Sequence, residues 1–142
     1  MFTQITEFST NHTLLVVAFV ALLVALFFNE FRQATQKSTG LTPAGAIQLI
    51  NNEDVTLLDV RESAETVNGK IAKAVQIPVS SINQRIGELD KFKDKNIIVY
   101  CKNGSRAGIA CRTLSKAGFE NVFNLDGGIT AWQEAHLPVS RK

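Results

Sequence analysis

The stretch Asn96-Ile97-Ile98-Val99-Tyr100-Cys101-Lys102-Asn103-Gly104-Ser105-Arg106-Ala107 decides how this chain is read. Its Ile-Ile-Val-Tyr run, set after the charged stretch Lys91 to Lys95, predicts a buried strand. The polar residues Lys102 to Arg106 then turn the chain into a helix expected over about Ala107 to Ala117 and ended by Gly118. In open parallel sheets, ligands sit beyond the carboxyl ends of strands, where loops lead into helices. Cys101 falls at such a place. A loop entering a helix aims backbone N–H groups at its mouth, and the helix dipole adds positive potential. Gly104 lets the backbone curl, and Lys102 and Arg106 add formal charge, so the surroundings favour a thiolate. The commoner fate of a free cysteine is burial as a small apolar residue. A strand-terminal Cys with Gly and Arg within five residues, followed by a helix, selects the reactive reading.

Working outward, Thr42-Pro43 predicts a helix start, Thr as N-cap and Pro at the first helical position, with Ala46, Ile47 and Ile50 on one face. Asn51-Asn52 closes it. Val55 to Val60 predicts a short buried strand, a polar loop runs to Gly69, and Ala74 to Ile77 predicts another strand, stopped by Pro78. Ser80 or Ser81 is the expected cap of a helix with the stripe Ile82, Ile86 and Leu89. Beyond Gly118, Asn121 to Leu125 predicts a strand, and Gly127-Gly128 leads into a last helix around Ile129 to Ala135 that carries Trp132 as a packing residue. Strands alternating with helices imply βα units, hence an α/β fold with a mostly parallel sheet and helices on both faces.

The N-terminal segment differs in kind. Every residue from Leu14 to Phe28 is Leu, Val, Ala or Phe, and every Lys and Arg of the chain follows that run. Fifteen unbroken apolar residues, extended by His12, Thr13 and Asn29 into the interfaces, approach the roughly 20 that cross a hydrocarbon core. A cleaved secretory signal needs a basic start and a small-residue cleavage site, and neither is present. A core helix apolar on all faces is unusual in a small α/β domain. The expected organisation is therefore a tail over 1–10, a transmembrane helix over 11–31, a juxtamembrane linker over 32–40 and a domain over 41–142. Arg32 and Lys37 flank the run on its C-terminal side only. The positive-inside tendency then predicts a single-pass protein of the inner membrane with its C-terminal domain in the cytoplasm.

The chain's 142 residues suit one domain plus an extension. A formal charge of +2, with basic residues scattered among acidic ones, gives no footprint for nucleic acid. With two cysteines, two histidines and no Cys-x-x-Cys, neither a disulfide scaffold, a metal site nor a cofactor is expected. Cys111 invites a resolving-thiol role, but Ala107, Ala110, Cys111 and Leu114 share one helical face, which assigns it to the core. His136 reads as a solvated residue at a helix end.

The chain resembles the rhodanese-like domains, single-domain sulfurtransferases that share a fold with Cdc25-type phosphatases. The resemblance covers about Thr42 to Pro138. It is carried by Leu58-Asp59-Val60-Arg61-Glu62, Glu65, Gly69-Lys70-Ile71, Ala74-Val75-Gln76-Ile77-Pro78, the Tyr100 to Arg106 loop, Asn124-Leu125-Asp126-Gly127-Gly128 and Trp132. It implies a five-stranded sheet, and it implies that Cys101 is the catalytic nucleophile, taking the outer sulfur of a small anionic donor such as thiosulfate. The persulfide so formed would pass its sulfur to a thiol, cyanide or protein acceptor. By the same resemblance, Lys102, Asn103, Gly104, Ser105 and Arg106 cradle the substrate, with Asp59 and Arg61 on a neighbouring strand end. Arg61 has a competing structural role as an ion-pair partner, Glu62 and Glu65 being the nearest acids in sequence. Lys70 and Lys73 stand where the family usually has His and Gly.

Two rivals differ in class. Phosphatase relatives use a Cys-x5-Arg loop, one residue longer than Cys101 to Arg106, so the shorter ring argues against phosphate esters. A membrane-tethered interaction module with incidental sulfur transfer is favoured by the anchor and opposed by the intact Cys101 and Arg106.

Overall fold

The computed structural model describes residues 12–35 and 38–141. The expected tail over 1–10, the first residue of the expected span and the middle of the linker lie outside them. Two compact units are separated at Lys37 and Ser38. The first contains helix α1 (Thr13–Thr35). Within it, Thr13–Phe31 has mean hydropathy 2.5 and is unburied, so it is long and apolar enough to cross a membrane. Its large apolar side chains, Leu14, Phe19 and Phe28 among them, are exposed.

The second unit runs through β1 (Thr39–Leu41), α2 (Pro43–Asn52), β2 (Val55–Asp59), α3 (Ser63–Thr66) and β3 (Val75–Gln76). It continues through α4 (Ile82–Arg85), β4 (Asn96–Tyr100), α5 (Ser105–Lys116), β5 (Val122–Leu125) and α6 (Gly128–Glu134). Short 3-10 turns, Val79–Ser81 and Ile86–Phe92, flank α4. The strands form a five-stranded sheet of order β1-β5-β4-β2-β3, parallel throughout.

Side chains alternate across the sheet because the strand period is two. Leu58, Ile97 and Val99 face one core with Ala110, Cys111 and Leu114 of α5 and Ile82 of α4. Leu57, Ile98 and Tyr100 face the other, with Ala46 of α2 and Ile129 and Trp132 of α6. Helices therefore cover both faces, as expected. Cys111 is fully buried, and burial pushes its thiol up to about 12, which suits packing and not nucleophilic chemistry. Trp132 is buried too and donates its indole N–H to the Pro138 carbonyl at 3.0 Å.

Three details depart from expectation. The sheet starts before residue 41: Thr39-Gly40-Leu41 pairs with Phe123-Asn124-Leu125, so α1 and β1 take up most of the expected linker. Three residues around a glycine show no alternation, which is why this strand is invisible in sequence. A Cβ at Gly40 would lie 2.5 Å from a carboxylate oxygen of Asp126, an exposed side chain that would have to swing aside. The loop before Gly69 contains α3, closed by a capping box between Glu62 and Glu65. Finally, Ser81 precedes α4 without a side-chain cap bond, because the preceding 3-10 turn leads the chain directly into the helix, and Ser80 donates instead to Glu62 Oε1 at 3.0 Å. At the other end of the domain's first helix the expectation holds: Thr42 Oγ1 accepts from the Gly45 N–H at 3.1 Å.

Candidate active site

The chain leaves β2 for the edge strand β3 and then returns past β2 to β4, so the winding direction reverses between β2 and β4. Crevices beyond the carboxyl ends of strands at such a reversal are where parallel sheets bind ligands. Asp59 pairs in register with Tyr100. Arg61 and Cys101 thus follow neighbouring strand ends.

Cys101 Sγ accepts the Gly104 N–H at 3.1 Å and the Ala107 N–H at 3.4 Å. Gly104 precedes α5 at φ +100° and offers no side-chain cap. The first N–H groups of a helix lack intrahelical partners. The sulfur occupies the position of a capping acceptor, at the positive end of the helix dipole. Asn103 Oδ1 takes the Ser105 N–H at 3.2 Å and the Ser105 hydroxyl at 2.8 Å, and lies 4.0 Å from Sγ.

The two loop cations are placed differently. Arg106 pairs bidentately with Glu65, at 2.7 and 2.8 Å, so its charge is balanced within the protein. The hydrogen bonds from Arg106 lead the causes that hold the Glu65 carboxyl down to about 2. Lys102 is exposed and, among the described residues, has no ion-pair partner. Of the two loop charges expected beside Cys101, one is thus balanced within the protein and the other is not.

Asp59 and Arg61 are locked together and buried. The Arg61 guanidinium gives Nε to both Asp59 oxygens at 3.0 and 3.1 Å and a terminal nitrogen to Oδ2 at 2.7 Å. Its remaining donors reach the Gly69 carbonyl at 2.8 Å and the Glu65 carbonyl at 3.3 Å. The expected Arg61 partners Glu62 and Glu65 are replaced by Asp59, because a buried carboxylate two residues away meets the planar guanidinium edge-on. Tyr100 lies beneath this pair, 5.7 Å from the guanidinium carbon, and burial raises its phenol.

The residues 124–130 support the loop from the far side, a role that sequence reading did not assign. The Ile129 N–H donates to the Cys101 carbonyl at 2.8 Å and the Thr130 N–H to the Lys102 carbonyl at 3.2 Å. Asn124 Nδ2 donates to the Gly104 carbonyl at 3.1 Å. Gly128 adopts φ +60°, and a Cβ there would lie 2.4 Å from the Cys101 carbonyl oxygen. The Asn124 to Gly128 motif and Glu65 were both visible in the sequence, but their contacts span the fold.

Residues 42–135 match the rhodanese-like domain family. The uncharacterized protein YibN of Escherichia coli K12 is 36% identical over 139 residues, 97% of either chain. A sulfurtransferase of Allochromatium vinosum is 40% identical over 92 residues, 65% of this chain and 84% of that one. The crystal structure of a rhodanese-related protein from Thermoplasma volcanium superposes with a TM-score of 0.67 at 33% identity, covering 73% of this chain and 99% of its own. With an all-parallel sheet, a cysteine at its switch point and these likenesses, the chain belongs to the rhodanese-like domain family.

Proposed function

We propose that this protein is a membrane-anchored sulfurtransferase in which Cys101 carries sulfane sulfur as a persulfide between an anionic donor such as thiosulfate and a nucleophilic acceptor. The observation that carries the reading is the pair of N–H groups from Gly104 and Ala107 aimed at Cys101 Sγ. Family membership and the sulfurtransferase relative support it at the level of reaction class.

In the first half-reaction the Cys101 thiolate attacks the outer sulfur of thiosulfate. A Sγ–S bond forms, the donor's S–S bond breaks, and its electron pair leaves with sulfite. In the second, an acceptor nucleophile attacks the outer persulfide sulfur and returns the electron pair to Cys101. No external oxidant or reductant enters. Backbone donors at a helix start stabilise anionic sulfur in both steps, the logic of an oxyanion hole. Lys102 draws the donor anion, Asn103 and Ser105 hold the turn, Gly104 supplies the curl, and Arg106 braces it through Glu65. Asp59 and Arg61, locked to each other, act as the floor of the site, a supporting role beside the substrate contact that the resemblance implies for them.

The anchor is α1. Its 19-residue segment Thr13–Phe31, at about 1.5 Å per residue, spans close to the ~30 Å of a hydrocarbon core. Arg32 and Lys37 on the C-terminal side favour a cytoplasmic domain at the inner membrane.

Incubating the full chain in detergent micelles with thiosulfate and weighing the intact protein tests the chemistry. One added sulfur is expected in the parent and none in Cys101→Ser. Sulfur retained by Cys101→Ser would sink the assignment, and no gain in the parent would favour a tethered interaction module. Labelling of Cys101 in intact cells by an impermeant thiol reagent would overturn the cytoplasmic placement.

A further inference from the structure

From Lys95 to Phe119 the chain contains five basic residues and no Asp or Glu. Lys95 is paired with Asp54 and Arg106 with Glu65. Of the other three, Arg112 and Lys116 stand together on α5, exposed and without an ion-pair partner among the described residues. The exposed side of α5 reads Ser105, Ile109, Arg112 and Lys116, at i, i+4, i+7 and i+11, a single stripe of the helix. Arg112 and Lys116 are like charges at i,i+4, an arrangement that destabilises a helix on its own. Ile109 is half exposed, and Val67 is the only other large apolar side chain left open to solvent among the described residues of the domain. Neither feature helps the fold, and proteins keep such local conflicts chiefly at functional surfaces.

Beside the stripe lies a groove of about 440 Å³ between α5 and the segment of α4 and its following turn, lined by Asn83, Ile86, Thr113, Lys116 and Ala117. The Thr113 hydroxyl is satisfied within its own helix, donating to the Ile109 carbonyl at 3.2 Å. The nearby carboxylates are already matched, Glu88 by Arg85 and Asp90 by Lys93. The groove therefore combines aliphatic side chains with a basic rim that nothing within the domain neutralises. We propose that the groove between α4 and α5 docks a partner protein through an acidic amphipathic segment. An aliphatic side chain of the partner packs against Ile86 and Ile109, and its carboxylates meet Arg112 and Lys116. A bilayer surface fits less well, since a planar headgroup layer has nothing to place in a groove and one isoleucine offers little to the acyl boundary. α5 begins at the Cys101 loop, where Ser105 holds Asn103, so a docked partner lies along the helix that leads to the sulfur. The inference concerns docking alone and stands whether or not Cys101 carries sulfur.

Two fluorescent peptides serve as probes, one with leucines at every third or fourth position and glutamates between them, the other with lysines in place of the glutamates. The full chain in detergent micelles is titrated into each and followed by anisotropy. Binding of the acidic peptide is expected, weakened by salt, with none of the basic one. Arg112→Glu combined with Lys116→Glu should weaken the acidic peptide about tenfold and confer binding of the basic peptide, a reversal that misfolding does not produce. Ile109→Ser should weaken the acidic peptide about fivefold. The acidic peptide should also slow acetylation of Lys116, read by mass after digestion, whereas moving the chain into nanodiscs containing phosphatidylglycerol should not. Absence of acidic-peptide binding, or binding that the charge reversal leaves intact, overturns the proposal. Protection of Lys116 by phosphatidylglycerol without peptide overturns it in favour of lipid, and a dimer in detergent that the charge reversal dissolves overturns it in favour of a second copy.

Discussion

Arg106 gives its two terminal nitrogens to the two carboxylate oxygens of Glu65, across 41 positions of sequence. The Glu65 carboxyl is lowered from 4.5 to about 2, first by the Arg106 hydrogen bonds and then by the Glu62 backbone N–H. A folded-state value below the unfolded one means that the stabilisation is present above about pH 4.5 and is lost as the pH falls toward 2. Both side chains are about one-third exposed, so solvent limits the pair to about 1 kcal/mol. Glu65→Gln should therefore lower the unfolding free energy by about 1 kcal/mol at pH 7, and the difference from the parent should close below pH 4.5. Urea unfolding followed through Trp132, the one tryptophan of the chain, measures this.

Arg61 and Asp59 form the opposite kind of pair, enclosed and fully hydrogen-bonded. Arg61→Met leaves a buried carboxylate without its counter-charge and should cost about 3–5 kcal/mol. The double variant Asp59→Asn with Arg61→Met should recover part of that loss. A single Arg61→Met that unfolds like the parent while losing sulfur loading would return Arg61 to a substrate-binding role.

Gly128 has no room for a side chain, because a Cβ would meet the carbonyl oxygens of Cys101 and Lys102 at 2.4 and 2.5 Å, both backbone atoms. Gly128→Ala should destabilise the fold by about 2–4 kcal/mol and depress sulfur loading as the loop shifts. Gly87, whose Cβ position is open, serves as the control: Gly87→Ala should load like the parent. Thermal unfolding and intact mass after thiosulfate treatment give the two readouts.

Lys73 holds a left-handed backbone at φ +62°, at the position where the family resemblance implies Gly. Relief of strain, less the entropy that glycine adds to the unfolded chain, should make Lys73→Gly more stable by about 1 kcal/mol. Lys73→Val should lose at least as much, since a branched Cβ crowds that conformation further. Urea midpoints of the two variants should fall on opposite sides of the parent's.

The alternation of apolar runs with polar loops located four strands and the helices between them. β1 escaped because its pairing with β5 lies in backbone hydrogen bonds, with no apolar pattern to announce it. α3 escaped because it is only four residues long, three of them polar, and a capping box between Glu62 and Glu65 holds it. At the site, Cys101 and Gly104 were legible since strand end, turn and helix start are local features.

What the sequence by itself determined is therefore local chemistry: a cysteine at a strand end, a glycine that curls the loop, an apolar segment of membrane length and a helical face that buries Cys111. Tertiary structure alone decided which charges remain free. Arg106 and Lys102 carry the same charge in the same loop, yet Glu65 reaches one of them and leaves the other exposed and without an ion-pair partner among the described residues. Asp59 captures Arg61 because their strand end is closed over by Tyr100 and the Gly69 loop. Electrostatic pairing depends on separation and burial, and neither is encoded at any single position of the chain.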